Sequence, residues 1–352
     1  MMSLSLKHRR LSSNDSVFII AEAGVNHNGD LNKAHQLIDE AAACGADAVK
    51  FQTFITEEII SPDAPLAGHH VANIGQTITH FDLIKKLELP FGVFDELKKH
   101  CEDRKMTFIS APYDTPSAKF LIDMGLEIIK VPSSEMMNYP MLDVIRKSAV
   151  PVMLSTGMSR WAEIVEAVNF VKECQSRLIV LKCTSNYPAS SASLNLNGIK
   201  RMQDVFPQTM IGFSDHSLGH EASLVAVGMG VKVLERHFTL DKDDWGPDHK
   251  ASMDPKEFRR FVDAVRQAEV ILGKSDWDIQ NEEKSQRATM QKGVYARRDL
   301  KKGEKISVAD VRFLRPSSDL SPKEFFLTCV NKQVKADVTA GQLIKKEHFS
   351  DV

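Results

Sequence analysis

Several things are missing from this sequence, and each absence narrows what the chain can be. There is no Cys-x-x-Cys pair. The five cysteines, Cys44, Cys101, Cys174, Cys183 and Cys329, are scattered and odd in number, which argues against a zinc ribbon or a disulfide framework and fits a reducing compartment. No apolar run is long enough to span a bilayer. The basic cluster Lys7-His8-Arg9-Arg10 is not followed by the apolar stretch of a signal peptide, so it reads as a solvated N-terminus. Neither sign of charge dominates: the formal net charge is -2 over 352 residues, which leaves no nucleic-acid footprint. The expectation is a cytoplasmic protein that engages neither nucleic acid nor membrane.

What is present is an alternation of apolar runs and amphipathic segments from Val17 to about Gly273. The runs expected as strands are 17–22, 46–52, 107–111, 127–131, 150–155, 178–183, 209–214 and 231–237. Between them lie helical patterns. One is capped by Asp30 and ended by Gly45, others cover 93–105, 115–124 and 138–147, one starts at Trp161, and one spans Glu221–Gly228. The last opens on Asp254, Pro255 and Glu257. Eight strand–helix units over about 260 residues predict a (β/α)8 barrel. A doubly wound open sheet competes, but its first turn would more often be Gly-rich, and Gly24-Val-Asn-His-Asn-Gly29 matches that pattern weakly. The domain boundaries read as a barrel over 1–273, a polar linker over 274–286 and a small β-rich domain over 287–352. In the last, "LKKGEKI" and "VTAGQLI" look like an internal duplication. Residues 53–80 form a long segment of the kind that serves as a functional lid.

A barrel carries its chemistry on the C-terminal ends of its strands. Those ends offer Glu22, Lys50, Gln52, Ser110, Lys130, Ser133, Ser134, Glu135, Ser155, Thr156, Lys182, Thr184, Ser185, Tyr187, Ser214, His216, Glu235 and His237. Lys50 and Lys130 would be buried cations without counter-charges unless a ligand supplies them, and the hydroxyls nearby suit a phosphate or carboxylate. The alternative is that the two lysines simply pair with Glu22 and Glu135. His216 and His237 end neighbouring parallel strands and can meet, as metal ligands, as an acid/base pair, or as two structural histidines.

Taken in order, Glu22-Ala-Gly-Val-Asn-His-Asn-Gly29, Lys50-Phe-Gln52, Lys130-Val-Pro-Ser133 with Glu135, Leu154-Ser-Thr-Gly-Met158, Gly212-Phe-Ser-Asp-His216, Glu235-Arg-His-Phe-Thr239 and Gly246-Pro-Asp248 resemble the sialic acid synthase family. These enzymes condense phosphoenolpyruvate with an N-acylated hexosamine on a (β/α)8 barrel followed by an antifreeze-like SAF domain. The resemblance implies that Lys50, Lys130, Ser133, Ser155, Ser185 and Ser214 bind phosphoenolpyruvate. It implies that His216 and His237 hold a divalent metal, Mn2+ first, with Mg2+ or Co2+ as alternatives. Glu22, Gln52, Tyr187 and Asp248 would contact the sugar, and Glu135 would transfer a proton. Arg315 resembles the SAF arginine that enters the partner's active site, which implies a domain-swapped homodimer. The implied substrate is N-acetylmannosamine, with a 2,4-diacetamido-6-deoxy hexose, as in legionaminate synthesis, as the alternative. A pseudaminate synthase is disfavoured by Ser134, where an aromatic residue is usual. A different class altogether is a barrel that only binds carbohydrate. Three departures from the pattern stand out: Ala111 where a threonine is usual, Ser134 in place of a glycine, and Ser317-Ser318 in place of a glycine-rich turn. Within 66–76, Asn73 and Gln76 remain equal candidates for a further sugar contact.

Overall fold

A computed structural model describes residues 3–66, 78–174, 177–274 and 276–349. The chain divides into two compact units, 1–273 and 274–352.

The first unit is a closed parallel barrel. Its strands are β3 (Phe18–Gly24), β4 (Ala48–Thr53), β5 (Thr107–Pro112), β6 (Ile129–Val131), β7 (Val152–Ser155), β8 (Leu178–Cys183), β9 (Met210–Asp215) and β10 (Val233–His237), and β10 pairs with β3 to close the ring. Helices connect successive strands, as the alternating pattern predicts. Two further helices, Thr56–Ile59 and His80–Leu87, lie in and beside the segment expected as a lid, and residues 67–77, with Asn73 and Gln76, fall outside the described residues. The helix Asn197–Val205 was not legible in the sequence.

The alternation of side chains along a strand sorts the barrel interior into two layers. In the lower layer Phe18, Ile20, Ala48, Ile109, Ile128, Met153, Ile179, Leu181, Met210 and Val233 form one buried apolar cluster. Gly212 belongs to this layer because a Cβ there would sit 2.5 Å from Leu181 and 2.7 Å from the Val233 carbonyl. Above it, the same inward positions continue as Glu22, Lys50, Lys130, Ser155, Ser214 and Glu235, all buried. The outward positions, such as Ile19, Val49, Val131, Leu154 and Phe213, pack under the helices.

The N-terminus is not the solvated tail expected from its charges. Strands β1 (Ser3–Ser5) and β2 (Arg10–Ser12) form an antiparallel hairpin, and Leu4, Leu6 and Leu11 join the apolar layer of the barrel. Arg9 pairs with Asp47 and donates to the Ser16 carbonyl at 2.8 Å and to the Val17 carbonyl at 3.1 Å, while Lys7, His8 and Arg10 remain exposed. The alternation Leu4-x-Leu6 was the missed signal.

The second unit holds a three-stranded sheet, β11 (Gly293–Ala296) between β12 (Val311–Leu314) and β13 (Leu343–Ile344), around a core that includes Val294, Ile306, Leu320, Phe325 and Ile344. Residues 281–290, partly inside the expected linker, form a helix with no buried residue. The two similar turns each place a glycine at positive φ, 88° for Gly303 and 81° for Gly341.

Candidate active site

The polar layer of the barrel opens into a cavity of about 210 Å³ lined by Lys50, Lys130, Ser133, Ser155, Ser185 and Ser214, together with Glu22, Gln52, Tyr187, Glu235 and both histidines. The two lysines are not left without counter-charges, as the sequence alone implied. Lys50 Nζ lies 2.7 Å from Glu22 and 3.8 Å from Glu235, and Lys130 Nζ lies 3.6 Å from Glu235. The alternative pairing is half right: Glu22 meets Lys50, but Lys130 meets Glu235 and not Glu135. Glu235 also accepts a hydrogen bond from Ser214 Oγ at 2.8 Å.

The charges are unevenly balanced. Burial works against Lys50, but Glu22 and Glu235 outweigh it and raise its pKa. For Lys130 burial wins and the pKa falls. Burial also lifts Glu22 above the usual carboxylate range despite Lys50. Glu235 lies below that range, because Lys130 and Lys50 together outweigh its burial. Lys130 is therefore the cation least served by the protein itself.

The hydroxyls gather where β7 ends. Gly157 donates its backbone N–H to Ser133 Oγ at 2.9 Å. A Cβ at Gly157 would sit 2.1 Å from Ser185 Oγ, 2.8 Å from Ser133 Oγ and 3.1 Å from Cys183 Sγ, so only glycine lets these groups converge. Ser155 Oγ is buried and has no hydrogen-bond partner among the described residues. A buried cation, converging hydroxyls and one unsatisfied hydroxyl make a site for an oxyanion.

Not every polar strand end faces this cavity. Ser110 is on the outward side of β5, bonded to Thr53 Oγ1 at 2.6 Å, and Ala111 takes the inward position. Thr156 donates to the Leu181 carbonyl at 2.9 Å. Lys182 turns outward and donates to the Cys183 carbonyl at 3.0 Å and to Thr184 Oγ1 at 3.1 Å.

His216 and His237 do meet. Their ring centroids are 5.2 Å apart at 67°, and the Tyr187 ring lies 4.2 Å from one and 5.3 Å from the other. His216 Nδ1 donates to the Thr184 carbonyl at 2.9 Å, which leaves Nε2, among the described residues, with only Ser214 Oγ at 3.4 Å. His237 Nδ1 is buried without a hydrogen-bond partner among the described residues, 3.9 Å from Asp248. Burial holds the His237 imidazole well below its usual pKa, helped by His216 and Lys50, so this ring is neutral. Burial also opposes the His216 cation, but Cys183 outweighs it and raises the pKa. Two imidazoles with nitrogens unspent fit a divalent cation with open positions. Among the described residues no third His, Cys, Asp or Glu completes a closed metal site.

The backbone behind the histidines is clamped. Asp215 and Arg236, each one residue before a histidine, point outward and pair at 2.7 Å with both side chains buried. Asp215 also accepts from Ser217 Oγ at 2.7 Å and from Ser223 Oγ at 2.6 Å.

A second cavity of about 360 Å³ adjoins the first and shares Gln52, Tyr113, Ser134, Tyr187 and His237 with it. Glu135 and Asp248 supply its carboxylates, and Asn138 donates to Glu135 at 2.9 Å. Burial, with Glu22 adding to it, lifts the Asp248 carboxyl to about 6. The rest of the described lining is mostly apolar, with Val25, Phe54, Ile59, Ile60, Ile84 and Pro247, and His80 adds an imidazole. Gln52 donates to Glu22 at 3.2 Å across the boundary of the two spaces. Sequence reasoning missed Tyr113 and Cys183 and gave Glu235 no role. Glu235 shares the inward side of β10 with His237, which was the available signal, whereas Tyr113 lies past the end of β5 and gave none. Arg315 lies in the second unit and is exposed. Its loop is held there by Gly293 N–H and Tyr295 O–H, which donate to the Pro316 carbonyl at 3.1 and 3.0 Å.

Comparison with known proteins follows the same division. A model of the NeuB family matches residues 37–276, and a SAF domain model matches residues 291–350. The chain is 38% identical over 342 residues to the N,N'-diacetyllegionaminic acid synthase of Legionella pneumophila, covering 96% of each chain. It is 32% identical over 330 residues to the human N-acetylneuraminate-9-phosphate synthase, covering 94% of this chain and 92% of the relative. Among solved structures, the N-acetylneuraminic acid (sialic acid) synthetase of Leptospira borgpetersenii superposes with a TM-score of 0.73 at 34% identity, over 81% of this chain and 95% of that one.

Proposed function

Given that the chain belongs to the NeuB family of nonulosonate synthases, we propose that it condenses phosphoenolpyruvate with an N-acylated amino-hexose. The observation that carries this reading is the pair of adjoining cavities: a buried one built for an oxyanion and a larger one with carboxylates and an apolar wall. In this reading Lys130, Ser133, Ser155, Ser185 and Ser214 hold the phosphate, and Lys50 stands between it and Glu22. Glu22, Gln52, Tyr187 and Asp248 orient the sugar. C3 of phosphoenolpyruvate attacks the aldehyde carbon of the open-chain sugar, forming the C–C bond, and the aldehyde oxygen takes up a proton to become a hydroxyl. Water adds at C2, the C2–O bond breaks, and phosphate leaves with the bonding pair. Glu135, at the outer cavity, is the group we assign to proton transfer. His216 and His237 would hold the divalent cation, Mn2+, Mg2+ or Co2+, which when bound supplies Lewis acidity toward the sugar's carbonyl oxygen.

The outer cavity narrows the sugar. It has no Lys or Arg among its described lining residues, so a sugar phosphate would meet only the imidazoles of His80 and His237 and no permanent cation, and much of its wall is aliphatic or aromatic. A methyl group placed there gains about 0.8 kcal/mol, whereas an unpaired hydroxyl costs roughly 1–3 kcal/mol. We therefore favour the 2,4-diacetamido-6-deoxy hexose, in line with the relative from Legionella, over N-acetylmannosamine, the reading that the neighbour from Leptospira supports. The test is phosphate release from phosphoenolpyruvate with each sugar side by side. A higher kcat/KM with N-acetylmannosamine would overturn the choice of sugar, and no release with any acylamino sugar would leave a carbohydrate-binding barrel.

We also propose that Arg315 serves the site of a second copy in a homodimer. The second unit has sixteen Lys and Arg against twelve Asp and Glu, and the barrel unit has twenty-nine against thirty-five, so the two carry opposite formal charge.

A further inference from the structure

A third space lies on the outer side of β8. It is a cleft of about 550 Å³ that shares Met158, Cys183 and Ser185 with the oxyanion cavity but faces the helix layer. Among the described residues two cations line it, Lys182 and Arg201, and no carboxylate does. The oxyanion cavity, by contrast, offsets its lysines with Glu22 and Glu235. The outer cleft is therefore the more electropositive of the two neighbours.

Its cations are set in place by the fold. The Lys182 stem packs on Gly198, where a Cβ would come within 3.4 Å of Lys182 Cε. Arg201 lies one turn further along the helix Asn197–Val205, on the same face as Gly198. Its guanidinium rests 4.1 Å over the Trp161 ring and forms no hydrogen bond or ion pair among the described residues. Lys182 spends two donors on the Cys183 carbonyl and Thr184 Oγ1 and keeps a third. Burial holds its pKa below the usual lysine value, the state of a cation that lacks an anion. Ser159, Asn195 and Asn197 line the same cleft and add neutral donors.

We propose that this cleft is a second phosphate site, which takes inorganic phosphate on Lys182 and Arg201 beside the catalytic cavity. It goes beyond the synthase reading, since it needs neither sugar nor phosphoenolpyruvate to be occupied.

The test uses the full chain, titrated with inorganic phosphate at constant ionic strength, with Trp161 fluorescence as the readout. The change should be saturable and should vanish in Trp161→Phe. Arg201→Gln and Lys182→Met should each weaken phosphate by about tenfold, as expected for the loss of one charge-assisted contact. Lys130→Met and Ser155→Ala, which alter the catalytic cavity, should leave it unchanged, and either of the two suffices if the other fails to fold. The opposite pattern, with phosphate lost in Ser155→Ala and kept in Arg201→Gln, would assign the signal to the catalytic cavity and overturn the proposal. So would the absence of any saturable change at Trp161. A chain that failed to bind phosphoenolpyruvate would refute the synthase reading and leave these phosphate measurements intact.

Discussion

Replacing Gly157 by alanine tests the oxyanion cavity at its tightest point. The new methyl would lie 2.1 Å from Ser185 Oγ and 2.8 Å from Ser133 Oγ. Ordinary contact then requires the Ser185 hydroxyl to retreat by about 1 Å and Ser133 by a smaller amount. Both hydroxyls would lose their aim at a phosphate oxygen, at about 1.5–3 kcal/mol for each hydrogen bond to a charged group. Losing both predicts a fall in phosphoenolpyruvate affinity on the order of 10²- to 10⁴-fold. The cost in stability is that of overpacking, roughly 1–3 kcal/mol, so the variant should still fold. Calorimetric titration with phosphoenolpyruvate, beside a thermal melt, separates the two effects. A folded Gly157→Ala protein that binds phosphoenolpyruvate as the parent does would refute the assignment of Ser133 and Ser185 to the phosphate.

Three further outcomes are expected. His216→Ala should abolish metal-dependent condensation and lose the tight fraction of bound Mn2+ seen by electron paramagnetic resonance; unchanged Mn2+ binding would remove the two-histidine centre. Arg315→Ala should fold and keep phosphoenolpyruvate binding while raising the KM for the sugar, and unaltered sugar kinetics would end its proposed role in a second copy's site. Asp248 carries a carboxyl raised to about 6 by burial and by Glu22, so the folded state holds its proton more tightly than the unfolded chain does. Its contribution is therefore present at acid pH and lost as the pH climbs from about 4 to about 6, by up to roughly 3 kcal/mol. Asp248→Asn should remove that slope from a pH series of denaturant melts run with chelator, and an identical slope in both proteins would contradict the raised pKa.

The barrel was legible because its signals are local and periodic. The strands are short apolar runs, several helices open on a cap such as Asp30 or the Asp254–Glu257 box, and the order of elements leaves few topologies. The residues of the oxyanion cavity were legible for the same reason, since inward positions on strands follow from a period of two. What the sequence hid was partnership. Lys130 and Glu235 are 105 positions apart and meet only because β6 and β10 face each other across the closed ring, so no local pattern joins them. Ser110 and Lys182 read as strand-end chemistry, yet one residue of parity puts both on the outside. The N-terminal hairpin was hidden by its own charges. Arg9 looks like part of a solvated cluster until Asp47, on the loop before β4, is brought beneath it.

The charge balance inside the barrel assigns different duties to the two lysines. Both are almost fully buried, and removing one member of a buried pair strands the other, at about 3–5 kcal/mol. Lys50 is at 2.7 Å from Glu22 and also faces Glu235, so Lys50→Met leaves Glu22 buried without a cation and should be costly to the fold. Among the described residues Lys130 forms an ion pair with one carboxylate, Glu235 at 3.6 Å, and Glu235 keeps Lys50 and the Ser214 hydroxyl when Lys130 is gone. Lys130→Met should therefore cost less stability than Lys50→Met while costing more phosphoenolpyruvate affinity, because an arriving phosphate competes for Lys130 against a weaker partner. Chemical denaturation and phosphoenolpyruvate titration of the two variants decide it. If Lys130→Met were the less stable of the pair and still bound phosphoenolpyruvate, Lys130 would be structural and Lys50 would have to be the cation that receives the phosphate.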